Sequence, residues 1–231
     1  MQRHNNRLAR ITEHQPQSSI SEVYRSLCTQ LQYMQRDDEV WSPKVIGVMS
    51  ARPSEGKTTS LSNLAIAFAI EGKRVLLIDG DLRKPRLHDV FDCSNKKGLY
   101  QALKSGYSPE DIAHETTVRN LFLICAGKAT DDPGKLLASN EFDLFLLRAK
   151  EEYDIVLIDA PPVLMFNDAK LIASRCDGIV IVVQSGRTSA KVLRQARTQL
   201  ERVNATLLGA VLNGGEERWT RRFAQHYYRN P

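Results

Sequence analysis

A chain of 231 residues, 42% of them hydrophobic, can bury one substantial core. No apolar run approaches the roughly 20 residues of a bilayer span, and Met1–Asn6 lacks the apolar stretch of a secretory signal. The net charge of +5 is modest and partly terminal, at Arg3, Arg7, Arg10, Arg218, Arg221, Arg222 and Arg229, so a solvated surface is expected and no nucleic-acid partner. The four cysteines (Cys28, Cys93, Cys125, Cys176) and five histidines show neither C-x-x-C nor metal-ligand spacing, which excludes a disulfide framework and a zinc site.

Residues 1–19 are polar, with Pro16 and Ser18-Ser19, and are expected to form a flexible arm. From Ile20 onward Tyr24, Leu27, Leu31 and Met34 recur at helical spacing behind Ser21 as a cap. This predicts a helix over 21–35, with Glu22 and Arg25 one turn apart on its polar side. An acidic linker, Asp37-Asp38-Glu39, leads through Trp41-Ser42-Pro43 to the apolar run Val45–Met49. The loop Ser50–Thr59 follows, and then Leu61–Ile70, which suits a buried helix.

Strand, loop and helix in that order are the setting of a phosphate-binding loop. A helix start leaves backbone N–H groups unpaired, and the loop before it can turn further N–H groups onto anionic oxygens. Ser54, Glu55, Gly56, Lys57, Thr58 and Thr59 are therefore candidate nucleotide-binding residues. Gly56 allows close backbone approach, Lys57 reaches the β- and γ-phosphates, and the Thr58 hydroxyl suits Mg²⁺. The usual pattern is G-x-x-x-x-G-K-[ST]; here Ala51 takes the first glycine position, and Ser54 stands where glycine is frequent.

Further apolar runs at Val75–Ile78, Leu121–Ile124, Ile155–Ile158, Ile179–Val183 and Leu207–Leu212 are continuous, as in parallel strands covered on both faces. Helical stretches fall between them, notably 141–152 and 189–203, while 85–120 is the least regular region. The predicted class is α/β and P-loop NTPase-like, with a mostly parallel central sheet and helices on both faces. One domain would span 20–215, followed by a tail at 216–231.

Two carboxylate motifs give the loop its company. Asp79-Gly80-Asp81 closes the Val75–Ile78 strand at the edge where open α/β sheets bind ligands. Ile155–Ile158 ends in Asp159 followed by Ala160-Pro161-Pro162, the pattern of a Mg²⁺-directed carboxylate in P-loop proteins. Taken singly, the first could merely cap a turn and the second is a common strand ending. With Lys57 and Thr58 they supply most of a phosphoryl-transfer site for ATP and Mg²⁺, with Asp79, Asp81, Asp159 and Thr58 around the metal. The acceptor, water or a hydroxyl, is left open by these residues.

From Ile20 to the C-terminus the chain resembles the bacterial tyrosine kinases (BY-kinases) of exopolysaccharide and capsule biosynthesis, in the MinD/ParA-like P-loop superfamily. The resemblance is carried by Ser21–Leu27, the loop 51–58, Val75–Pro85, Ile155–Pro162 with its Pro-Pro-Val continuation, Asp168, Asp177-Gly178 and Val211-Leu212-Asn213. It implies ATP-dependent autophosphorylation of C-terminal tyrosines between subunits of a ring. By it, Lys57 and Thr58 bind Mg·ATP, Asp79 is the base toward the tyrosine, Asp81 and Asp159 support the metal, and Asn213 falls near the adenine. The acceptors would be Tyr227 and Tyr228, a short version of the family's tyrosine-rich tail. Glu22 and Arg25 match the family's E-x-x-R-x-x-R oligomerisation helix, whose last position here is Cys28. Implied partners are other copies of the chain, a membrane polysaccharide co-polymerase acting as activator, and a cognate tyrosine phosphatase. The implied location is cytoplasmic, at the inner face of the membrane through that partner.

The competing function is a MinD/ParA-type switch ATPase that binds membrane or DNA according to nucleotide state. Such proteins carry a lysine early in the loop, where this chain has Arg52. Trp219, Phe223 and His226-Tyr227, beside Arg218, Arg221 and Arg222, could form an amphipathic membrane-surface helix or dock on the chain's own domain.

Overall fold

The six predicted apolar runs, joined by one short edge strand, pair into a seven-stranded sheet in the computed structural model, which describes residues 9–36, 39–128 and 132–215. In chain order the elements are α1 (Ile11–His14), α2 (Ser19–Gln32), β1 (Met34–Arg36), β2 (Glu39–Trp41), β3 (Val45–Ser50), α3 (Lys57–Ile70), β4 (Val75–Asp79), α4 (Leu87–Val90), α5 (Leu99–Ser105) and α6 (Pro109–Ile112). There follow β5 (His114–Glu115), β6 (Leu121–Ile124), α7 (Pro133–Leu137), α8 (Asn140–Glu152), β7 (Ile155–Asp159), α9 (Asp168–Ala173), β8 (Gly178–Gln184), α10 (Ala190–Glu201) and β9 (Leu207–Asn213).

The strand order is β5-β6-β4-β7-β3-β8-β9, all parallel except the short edge strand β5. Alternate residues of each inner strand feed two separate cores. Val45 and Met49 face α5, α8, α9 and α10, while Ile46 and Val48 face α2, α3 and α4. Burial on both faces is why these strands read as continuous apolar runs. The α/β class, the mostly parallel sheet and the helices on both faces are as the sequence predicts.

Helix α3 is buried almost throughout, wedged between the sheet and α2. Two of its polar side chains bond back within the helix: Ser62 Oγ donates to the Thr58 carbonyl, and Asn63 Nδ2 donates to that of Thr59.

Three expectations are corrected. The segment from residue 9 to 18, expected within a flexible arm, is packed on the domain. The Thr12 amide donates to Asn63 Oδ1 at 2.9 Å, and Arg10 reaches Thr117 and lies 5.3 Å over the Phe91 ring. Residues 1–8 lie outside the described residues. Helix α2 runs from 19 to 32 and not 21–35: Ser18 is the cap and accepts from the Ser21 amide, while Ser21 turns its hydroxyl inward to the Gln15 carbonyl, and Met34 already belongs to β1. The expected acidic linker is bounded by a small antiparallel ladder, β1 with β2.

Cys28, the departure from the oligomerisation pattern, is fully buried, its thiol directed to the Leu64 carbonyl at 3.9 Å. Glu22 and Arg25 pair with each other on the exposed face, and Arg25 also donates to the Pro16 carbonyl at 2.7 Å.

The Thr12–Asn63 contact gives a stability prediction. Asn63→Ala strips a buried amide of its acceptor and should cost about 1–3 kcal/mol in urea denaturation. Amide exchange in residues 10–14 should quicken; unchanged exchange there would show that Arg10 alone holds the segment.

Candidate active site

The strands end together. Ser50, Asp79, Asp159, Gln184 and Asn213 are the last residues of β3, β4, β7, β8 and β9, so the carboxyl edge of the sheet gathers the predicted site residues. Asp79 and Asp159 are register partners on neighbouring strands. Gly80 makes this crowding feasible: a Cβ there would lie 2.8 Å from the Asp159 carbonyl oxygen, which instead accepts the Gly80 amide at 2.8 Å.

The loop between β3 and α3 is held from three sides. Gly56 adopts a left-handed conformation (φ 88°) as the cap of α3, and Asn213 lies against it so closely that a Cβ would meet Nδ2 at 1.8 Å. That carboxamide donates to the Glu55 carbonyl (3.0 Å) and to Gln184 (3.3 Å). Glu55 is buried, accepting from the Arg52 amide at 2.9 Å and from the Thr188 hydroxyl. Its carboxylate is therefore engaged inside the loop. Across the loop's entry, the Val163 amide bonds to the Ser50 carbonyl at 2.9 Å. Ser54 is left-handed too, at φ 62°.

Lys57 and Thr58 both converge on Asp159. Lys57 Nζ is 2.6 Å from Asp159 Oδ1 and 3.8 Å from Asp81 Oδ2, and Thr58 Oγ1 donates to Asp159 Oδ2 at 2.7 Å. Burial alone would depress the ammonium, but Asp159, Asp81 and Asp79 outweigh it and hold Lys57 above its ordinary pKa. Asp81 is raised by burial, against Lys57 and the Lys84 amide, which donates to it at 3.0 Å.

Asp79 is completely buried. One oxygen accepts the Arg86 and Leu87 amides, both at 2.9 Å, while Oδ1 has no hydrogen-bond partner. Burial and then the Asp159 charge push this carboxyl up to about 7. A carboxylate poised near neutrality with an uncommitted oxygen suits a general base.

The Thr58 hydroxyl and Asp159, with Asp79 and Asp81 beside them, also fit a Mg²⁺ ion that arrives with its phosphates. Among the described residues no group of three or more His, Cys, Asp or Glu side chains is placed to hold a metal unaided. Mg²⁺ in phosphoryl-transfer sites is ordinarily held by one or two protein ligands together with phosphates and water.

An ion pair not expected from the sequence flanks this cluster. Asp168, at the start of α9, is buried and accepts from Arg83 Nε at 2.6 Å and Nη2 at 3.2 Å, with the guanidinium 4.9 Å over the Phe166 ring. Opposite charges just beyond two neighbouring parallel strands were the available signal. The predicted acceptors Tyr227 and Tyr228 lie outside the described residues.

A family profile described as an AAA domain matches residues 43–211, from the start of the P-loop strand into β9. The tyrosine-protein kinase YwqD of Bacillus subtilis is 36% identical over 200 residues, covering 87% of this chain and 83% of that protein. The chain belongs to the bacterial tyrosine-kinase family. Among solved structures, the chimerical protein CapA2B2 superposes with a TM-score of 0.82 at 31% identity, covering 88% of each chain. The septum site-determining protein MinD of Pyrococcus horikoshii, complexed with Mg-ADP, has a TM-score of 0.64 at 23% identity over 76% of this chain and 72% of that one, and shares the fold. Among the described residues of this BY-kinase no helix is long and apolar enough to cross a membrane.

The raised Asp79 carries a pH prediction. A carboxyl protonated more readily folded than unfolded stabilises the fold at low pH, and that contribution is lost as pH rises from about 4 through about 7. Asp79→Asn removes the ionisation, so it should be more stable than the parent at pH 8 by a few kcal/mol, with a smaller margin at pH 5. Urea melts without Mg·ATP at both pH values test this; a margin independent of pH would contradict the assignment.

Proposed function

We propose that this BY-kinase is an ATP-dependent protein-tyrosine autokinase that phosphorylates its C-terminal tyrosines, Tyr227 and Tyr228, between subunits. The observation that carries the reading is the meeting of Lys57, Thr58, Asp79, Asp81 and Asp159 at one sheet edge, with Asp79 raised toward neutrality. The loop amides from Ser54 to Thr59 and the Lys57 ammonium bind the triphosphate. Mg²⁺, when bound, neutralises charge on the phosphates. Thr58 and Asp159 serve the metal side, with Asp81 behind them, and Asp79 accepts the phenol proton through its unpaired oxygen. Asn213 backs the loop from beneath, next to where the family resemblance puts the adenine. Little covalent chemistry falls to the protein here; positioning and electrostatics carry the transfer.

The resemblance further supports a role in exopolysaccharide or capsule synthesis and export, with a membrane co-polymerase as activator and a tyrosine phosphatase as counterpart. Self-association would use the exposed face of α2, where Glu22 and Arg25 stand. Cytoplasmic placement at the membrane follows from the same partner.

Incubation with Mg·ATP followed by mass spectrometry should find phosphotyrosine, and Lys57→Met should remove it. Tyr227→Phe with Tyr228→Phe should remove most label with ATP binding intact; persistent label would move the acceptor to exposed tyrosines such as Tyr33 or Tyr107. ATP hydrolysis with no phosphotyrosine would make water the acceptor and favour the switch ATPase. Separately, Arg25→Ala should lower the mass seen by light scattering if α2 is the subunit contact.

A further inference from the structure

The segment 162–166 turns sharply beside the site. The Met165 and Phe166 amides both bond back to the Pro162 carbonyl, and the Val163 and Leu164 amides bond to the Ser50 and Ala51 carbonyls. The turn is thus fastened to the first residues of the phosphate loop. Leu164 packs against the core, whereas Met165 is 56% exposed and Phe166 is half-buried. Packed against it is Arg83, two residues beyond Asp81, whose carboxylate lies within electrostatic reach of the guanidinium. Asp168 grips that guanidinium through two nitrogens and Phe166 lies under it, yet the Arg83 side chain remains 38% exposed.

We propose that Met165 and the outer face of Arg83 form the platform on which the ring of the acceptor tyrosine docks, with Phe166 and Asp168 as the positioning residues that fix Arg83. This deepens the tyrosine-transfer reading above and rests on it. Three features point to an aromatic, hydroxyl-bearing occupant. A guanidinium already stacked on one ring offers its opposite face to a second, a favourable seat for a phenol. The exposed thioether of Met165 adds a soft apolar edge suited to aromatic contact. Arg83 also lies four residues beyond Asp79 and within electrostatic reach of Asp81, which puts the platform next to the segment that carries the proposed base. After transfer, Arg83 is a cation beside the new phosphate, to which guanidinium groups bind well. Asp168 contributes by holding one rotamer: a buried carboxylate bonded to Nε and Nη2 spares Arg83 the entropy of being ordered when substrate arrives.

The test measures transfer from Mg·ATP to a random glutamate–tyrosine copolymer by the purified chain, together with the affinity for a fluorescent ATP analogue. Phe166→Leu should raise the copolymer KM about three- to tenfold, because it removes the ring on which Arg83 is stacked and with it the fixed face offered to the phenol. Analogue affinity should hold within about twofold, and Phe166→Tyr should restore the KM. Asp168→Asn should also raise KM, by loosening Arg83. An unchanged KM in Phe166→Leu, or a parallel loss of analogue affinity, overturns the platform while leaving tyrosine transfer standing. Failure of the parent chain to label any tyrosine, in itself or in the copolymer, overturns the kinase reading and the platform with it.

Discussion

One ammonium group set among three buried carboxylates is the constraint on which the rest of the molecule depends. Lys57 bonds to Asp159, reaches toward Asp81 and feels Asp79, and all four side chains are buried. One positive charge cannot neutralise three negative ones, and the protein resolves the imbalance by making Asp79 hard to ionise. Buried charge of this kind is weak support for a fold, since desolvation offsets much of the attraction. The stability that tolerates it comes from the two apolar cores on either side of the sheet. The sheet thus serves as a rigid mount for a group of side chains that would not choose each other's company.

The mount works because small residues sit where backbones must nearly touch. Gly80 lets the end of β4 close on the end of β7, and Gly56 lets Asn213 press into the phosphate loop. In both places the missing side chain makes room for a hydrogen bond that fixes the geometry. A chain that is remote in sequence, from Gln184 to Asn213, therefore shapes the loop as much as the loop's own residues do.

Much of this was legible in the sequence, for physical reasons that differ from element to element. The inner strands were found because burial on both faces makes them apolar throughout. Their ends extend one residue further than the apolar runs because Ser50, Asp79, Asp159 and Asn213 still belong to the strands. The packing of residues 9–18 was hidden, since it rests on polar contacts such as Thr12 with Asn63 that leave no periodicity. The cap of α2 was misplaced because Ser18 and Ser21 are equivalent in isolation; the Gln15 carbonyl decides between them. Strands as short as β1, β2 and β5 carry too few residues for a pattern. The Arg83–Asp168 pair spans 85 positions and becomes visible only once β4 and β7 are known to be neighbours. Thr58, Lys57 and the three aspartates were readable because their spacing relative to strand ends is itself the chemical signal.

Ser54 gives the loop a property that the more usual glycine would not. Holding φ at 62° is a strained choice for a residue with a Cβ, and the cost is met once, when the chain folds. A glycine there would roam over more backbone conformations and surrender that freedom each time it closed on a phosphate. With serine the entropy is already spent, so this nucleotide cradle is a stiff one, set in shape by folding and not by its ligand.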